Sequence, residues 1–488
     1  MEIQDERWGR LLNSERRKKN NVSAPDSHEV SDDKESRTEI ERDYDRILFS
    51  TPVRRLADKT QVFPLDPNDS VRTRLTHSHE VSNLARSIGI AMVFVHDIAA
   101  NAKNSKRDIP ALLAAIGLAH DLGNPPFGHQ GESAIQSWFA ENESVVLGPL
   151  TDVQQKADFR LFEGNAQGFR LVTRLQLLND DFGLDLTYAT LAAMMKYPTR
   201  SNQLGETVAT KKHGFFLSEQ GIAKEVLEKT GLDFKQRHPL AYVMEACDDI
   251  AYVVMDVEDT VKKGLASFSD LIAYLQHHGN GDEIVNKVVA QSVAKHTEYR
   301  KRESLSPSEL NDISMQRFRV FAIGEMIRAA IVIFIKNQKD FLSGEEEKGI
   351  MELSKGEKLR SLLKEFGRKH GYTHKSVLKV ELQGYNVIHG LMDIFWASIV
   401  DRKNTEEPNS KRNNPFTKLV YGRISENYRR IFENPTADVT SLPIRYRECL
   451  LLTDMISGMT DSYAINLFAE LNAMKGSFNP RSFLETRK

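Results

Sequence analysis

The chain has 488 residues, of which 40% are hydrophobic, 27% charged and 8% aromatic, enough apolar mass for a sizeable globular core. Lys and Arg number 66 against 68 Asp and Glu, so no global basic field marks a nucleic-acid binder. Two cysteines, Cys247 and Cys449, and a longest notable apolar run of only Ala329 to Ile335 argue against a disulfide scaffold, a thiolate zinc site and a membrane span.

The first 20 residues are charged throughout and lack the apolar stretch of a signal peptide, which points to the cytoplasm. Residues 14–40 carry little apolar content, and residues 1–36 are expected to form a loose or partner-ordered segment. Within it the basic cluster Arg16-Arg-Lys-Lys19 is a candidate nucleic-acid contact, although a solvated charge run is the commoner reading. Val81, Leu84, Ala85 and Ile88 recur at helical spacing, and a helix is predicted to open at Asp108-Ile-Pro110 and run through Ala119. Gly123-Asn-Pro-Pro-Phe-Gly128 cannot continue that helix and is predicted as a rigid loop. Leu186–Met195, Tyr242–Val257 and Arg445–Ala473 read as helices, whereas Phe215–Leu217 and Val377–Leu382 are the candidates for short strands. Tyr299–Asp312, Ser343–Glu357 and Asp401–Asn414 are polar and read as surface insertions. The expected architecture is all-α with a few short strands: a core over residues 37–275 and a helical C-terminal region over 276–488.

Three separated pieces carry candidate chemistry: Arg72-Thr-Arg-Leu-Thr-His-Ser-His79, Gly117-Leu-Ala-His-Asp-Leu-Gly123 and Glu245-Ala-Cys-Asp-Asp-Ile-Ala-Tyr252. A His-Asp pair at a helix end, joined by one more His and one more Asp from other helices, suits a divalent cation. Imidazole nitrogens and carboxylate oxygens match borderline and harder metals and leave room for water and phosphate oxygens. Each piece alone is weak, because a lone His beside a helix is more often structural.

Together with Arg54-Arg-Leu-Ala-Asp-Lys-Thr-Gln-Val-Phe-Pro64, Asn124-Pro-Pro-Phe-Gly-His-Gln-Gly-Glu132, Glu163-Gly-Asn-Ala-Gln167, Met195-Lys-Tyr-Pro198 and Ile456-Ser-Gly-Met-Thr-Asp-Ser-Tyr463, these pieces occur in an order that resembles the dGTP triphosphohydrolase (dGTPase) family of the HD-domain phosphohydrolases. The resemblance runs from about Arg37 to Ala464 and weakens at the three polar insertions. It implies an HD-type helical core and metal-dependent hydrolysis of a deoxynucleoside triphosphate, dGTP foremost, to deoxynucleoside and inorganic triphosphate. It implies a divalent metal, Mg or Mn with Co as an alternative, and a homo-oligomer, tetramer or hexamer. Single-stranded DNA or a second nucleotide is implied as an effector. The alternatives are a phosphomonoesterase or phosphodiesterase on another nucleotide, or a nucleotide- or nucleic-acid-sensing protein.

Carried over by position, the resemblance makes His77, His120, Asp121 and Asp248 the metal ligands. The family's Arg-x-x-His-Ser pattern selects His77 over His79, and residues two apart on a helix point to different sides. Asp248, Tyr252 and Asp256 stand at i, i+4 and i+8, close to one helical face, while Asp249 lies about 100° round the helix and caps or pairs elsewhere. The family uses this spacing for a ligand, a tyrosine near the sugar and an acid beside it. His129 and Glu132, three apart, face one another if a helix begins there, and the resemblance assigns them as the acid–base pair; a capping His with a surface Glu is the structural alternative. Arg74, Lys196 and Lys212 are the candidate phosphate cations, with Lys211 as the alternative to Lys212. Asn165 is implied near the phosphates and Gln61 near the sugar and base, against turn or capping roles for both amides.

Overall fold

The computed structural model describes residues 2–18, 36–63, 71–176, 181–302, 304–344 and 346–485. Residues 19–35, most of the segment expected to be loose, lie outside these ranges. The part that is described is not loose. Helix α1, Glu2–Leu11, is seated by Trp8 and Leu11, both fully buried. Arg16 is buried and donates to Glu39 (2.6 Å) and Asp43 (2.8 Å), and Arg17 stands 3.6 Å from Glu225. These two members of the basic cluster are therefore engaged inside the fold, which corrects their reading as a nucleic-acid contact. Charge dominates the sequence here and hides Trp8, Leu11 and Leu12, which share one helical face.

The body is helical, as expected: among the described residues 69% are helical, and β pairing there is confined to isolated bridges at Arg16–Thr187, Thr60–Thr73 and Arg402–Arg412. Helix α2, Glu39–Leu48, opens on a capping box between Thr38 and Glu41. Helices α3, Arg74–Phe94, and α4, Ser105–Ala119, lie unusually close. A Cβ on Gly117 would sit 2.8 Å from Ser82 Cα, and one on Gly89 would sit 3.0 Å from Pro110 Cα. Only glycine allows that approach, and it draws the start of α3 against the end of α4. Helix α4 begins a turn earlier than Asp108, with Pro110 tolerated inside it.

Next come α5, Gly128–Glu141, and the short α6, Gly164–Arg170. Helix α7, Pro239–Lys262, starts with Pro at its first position behind His238, whose Nδ1 accepts the Leu240 N–H (3.1 Å). It is buried along nearly its whole length and packs on α3, α4 and α8, Glu357–Gly367. Helix α9, Lys375–Val400, packs on α5, on α10, Ile444–Ser457, and on α11, Asp461–Met474. One apolar core runs continuously from Trp8 to Leu471.

Neither predicted strand forms. Val377–Leu382 lies within α9, where Val377 is buried and Leu378 and Leu382 face solvent. Local alternation yields to a long helix whose inner face buries Ile388, Leu391, Phe395 and Trp396. Phe215 lies in a bend and Phe216 is extended but unpaired, leading into a short 3-10 turn at Leu217–Glu219. The Ser343–Glu357 stretch also departs from a purely surface role, because Ile350 and Met351 enter the core. Among the described residues no helix is long and apolar enough to cross a membrane.

Candidate active site

The close α3–α4 crossing brings His77, in the first turn of α3, against His120, at the end of α4, with ring centroids 5.5 Å apart. Asp248, midway along α7, completes the group: its Oδ1 lies 3.1 Å from His77 Nε2 and 3.6 Å from His120 Nε2. One ligand atom from each of these three residues lies within 4.8 Å of the other two, a spacing that fits one cation. Asp121 stands at the edge of this group, its Oδ2 3.4 Å from His120 Nε2 and 2.6 Å from the Arg74 guanidinium. His79 is exposed on the opposite side of α3 and takes no part.

The chemistry of the donor set suits a cation. His120 Nδ1 donates to the Gly117 carbonyl (2.8 Å), which turns Nε2 toward the carboxylates, where it is buried without a hydrogen bond of its own. Burial opposes a charge on this ring, yet Asp121 and Asp248 together raise its pKa to about 9. The field that favours a ring proton equally favours a cation in its place. Against burial, Arg74 and His120 hold Asp121 well below the ordinary carboxylate range, and His120, His77 and Lys196 bring Asp248 down to about 2. Both remain ionised near neutral pH.

Around this group opens a cleft of about 480 Å³. Gln61, Arg74, Asn165, Lys196, Lys212 and Tyr252 all line it, together with His129 and Glu132. Asn124, Glu163 and Tyr372 contribute as well. Lys196 Nζ lies 3.4 Å from Glu245 and 3.7 Å from Asp248. Lys212 Nζ lies 2.6 Å from Glu163 Oε2, while Asn165 donates to the other oxygen of the same carboxylate (2.6 Å). Lys211 pairs with Glu245 instead (3.5 Å) and does not line the cleft, so the structure separates the two lysines. Gln61 Oε1 is buried and unpartnered at the wall.

Helix α5 does begin at Gly128, and His129 Nδ1 stands 3.7 Å from Glu132 Oε2. The two residues differ in setting. The His129 side chain is 85% exposed, whereas Glu132 is buried and accepts the Gly164 N–H (2.8 Å). Burial raises the Glu132 pKa, but His129, Lys212 and the Gly164 amide outweigh it and hold the carboxylate below its ordinary range. The loop ahead of α5 lies tight against α6: a Cβ on Gly123 would fall 2.1 Å from Gly164 O and from Gly168 N.

Asp256 is placed differently from the expectation that it lines the cleft with Asp248 and Tyr252. It is buried behind the wall and accepts the Tyr372 hydroxyl, while the Tyr372 ring stacks 6.3 Å from that of Tyr252. Burial pushes the Asp256 carboxyl well above its usual range and Tyr252 up to about 12, so this corner carries little charge near neutral pH. Asp249 pairs with Arg360 (3.7 Å), as its place on the helix implies, and also reaches the cleft. Tyr372 was invisible in the sequence because it follows α8, far along the chain, with no local pattern around it. Glu163 stood within a recognised motif, but only its bonds to Lys212 and Asn165 reveal its task.

The chain is 34% identical over 485 residues to the deoxyguanosinetriphosphate triphosphohydrolase-like protein of Listeria monocytogenes, covering 96% of this chain and 100% of that one. The protein of the same description from Listeria innocua matches with the same identity and coverage. That of Synechocystis is 34% identical over 488 residues, covering 96% of this chain and 99% of its own. No family model matches the chain.

Proposed function

The chain belongs to the dGTP triphosphohydrolase family, and from that premise we propose that it hydrolyses a deoxynucleoside triphosphate, dGTP foremost, to the deoxynucleoside and inorganic triphosphate. The observation that carries this reading is the convergence of His77, His120 and Asp248, the last two lining a cleft whose walls also supply Arg74, Lys196 and Lys212. A divalent cation, Mg, Mn or Co, held there with Asp121 alongside, would supply Lewis acidity toward a phosphate oxygen and toward water.

The chain's own residues account for the rest. Arg74, Lys196, Lys212 and Asn165 take up the charge of the triphosphate, which otherwise repels a nucleophile. Water attacks the α-phosphorus, the bond to the 5′-oxygen breaks, and that oxygen gains a proton as the nucleoside leaves. His129 moves the proton, and Glu132, fixed by Gly164 N–H, orients its ring. At 3.7 Å the pair is open, as acid–base contacts in unliganded sites commonly are. Tyr252, with Tyr372 stacked beside it, closes over the sugar. A ribose 2′-hydroxyl meets ring carbon there and is left unpaired, costing about 1–3 kcal/mol.

The proposal further comprises a cytoplasmic, homo-oligomeric enzyme whose activity responds to single-stranded DNA or a second nucleotide. Its test is incubation of the four dNTPs and GTP with Mg²⁺, Mn²⁺ or Co²⁺, with and without single-stranded DNA, and products resolved by ion exchange. Triphosphate and deoxyguanosine, with GTP turned over at least about 5-fold more slowly, are the expected result. Monophosphate with pyrophosphate, or orthophosphate, supports a phosphodiesterase or phosphomonoesterase instead, and no turnover under any condition supports a sensing protein.

A further inference from the structure

Two sequence motifs remain largely without a role in the cleft: the stretch from Arg54 to Phe63, apart from Thr60, Gln61 and Val62, and the stretch from Ile456 to Tyr463. Although some 400 residues apart, they meet behind the Asn124–Gly128 loop that leads into α5. Lys59, only 3% exposed, donates from one Nζ to the Asn124 carbonyl (2.6 Å) and to the Ser457 carbonyl at the end of α10 (2.7 Å). Asp461, at the start of α11, accepts the Phe127 N–H on one oxygen (2.9 Å) and the Thr60 N–H on the other (3.0 Å), where the Thr60 hydroxyl also donates. Neither side chain lines the catalytic cleft.

What they hold is strained. Phe127 sits at φ +60°, a left-handed conformation that a bulky side chain rarely adopts, and Gly128 follows at +58°. The Asp461 bond to its N–H and the packing of its ring against Gly384 over-determine Phe127 in that state. The loop is also wired into the metal group, because Asn124 donates to Asp121 Oδ1 (2.6 Å) and the Arg74 N–H donates to the Lys59 carbonyl (3.1 Å). A buried ammonium whose hydrogen bonds go to backbone carbonyls is a costly way to fill space, since an apolar side chain of that length packs without the desolvation penalty.

We propose that Lys59 and Asp461 are positioning residues for the reaction, clamping the Asn124–Gly128 loop from behind so that His129 and Glu132 enter the cleft in register with Arg74 and Asp121. The inference rests on the hydrolase reading given above. Lys59→Met keeps the length of the side chain and removes both hydrogen bonds, and Asp461→Asn keeps the shape and removes one acceptor. Each is expected to lower kcat for dGTP by about 10–100-fold, with KM changed less than about 3-fold and Mn²⁺ binding retained. In a His129→Ala background the same substitutions are expected to lower kcat no further, because their effect passes through His129. Amide exchange over residues 124–131 is expected to rise in both variants while exchange in α7 stays unchanged.

Wild-type kcat in folded Lys59→Met and Asp461→Asn overturns the clamp, as does an undiminished loss in the His129→Ala background. If Lys59→Met does not fold, Asp461→Asn decides. If the wild-type chain turns over no dNTP, the hydrolase reading fails by itself. The exchange measurement then still decides the clamp: unchanged protection over residues 124–131 rejects it.

Discussion

His129 and Glu132, the proposed acid–base pair, stand one helical turn apart in opposite settings, one in water and one in protein. Glu132 is fixed by a backbone amide and kept ionised by its neighbours, while His129 projects into the cleft with freedom to meet a leaving group. Replacing His129 with Ala is expected to lower kcat by about 10²–10⁴-fold with metal affinity intact, measured by steady-state turnover beside Mn²⁺ titration; unchanged turnover removes His129 from the mechanism. Lys59 carries a different signature. Burial, followed by Arg74, lowers its pKa from 10.5 to about 7, with Asp461 and Asp121 opposing and Arg55 adding to the effect. Between those two values the unfolded chain binds the extra proton, so this group makes stability rise as pH increases from about 7 toward 10.5. Urea unfolding of wild type at pH 7 and pH 9.5 is expected to show that rise, and Lys59→Met is expected to lack it. Parallel pH dependences in the two proteins would rule out a depressed lysine.

Elements, more than residues, decide whether the site exists. The His77 end of α3 and the His120 end of α4 meet because Gly89 and Gly117 let the helices approach, and the loop beyond α4 meets α6 because Gly123 leaves room. Helix α6 is in turn anchored to α10 by a buried network. Arg170 donates twice to Asp454 (2.8 Å each) and once to Glu219 (2.8 Å), and Gln167 adds a bond to Asp454 (2.8 Å). Asp454→Ala leaves a fully buried guanidinium short of a partner and is expected to destabilise the fold by about 3–5 kcal/mol in urea unfolding. Asp438, which reaches Arg174 at the rim with its side chain 57% exposed, is expected to cost less than about 1 kcal/mol as Asp438→Ala. Equal losses would mean that burial does not govern this network.

Across the whole molecule, the all-α class and the three motifs that supply His77, His120 and Asp248 were legible because helical periodicity and residue spacing are local properties. Asp248 and Tyr252 face one cleft, and Asp249 turns to Arg360, as positions on one helix dictate. What was not legible depends on distant chain. Asp256 reads as a wall residue until Tyr372 covers it, Val377–Leu382 reads as a strand until α9 is seen to pack on α5, and α1 is masked by its own charge until Trp8 is found in the core. The cation group lies on the same boundary, since sequence names its members and only the fold brings them within reach of each other. Mn²⁺ titration followed by electron paramagnetic resonance tests that meeting most directly. One Mn²⁺ per chain is expected, its affinity unaffected in His79→Ala and weakened at least about 10-fold in His120→Ala and Asp248→Asn. Equal Mn²⁺ affinity in wild type and in both ligand variants would contradict it.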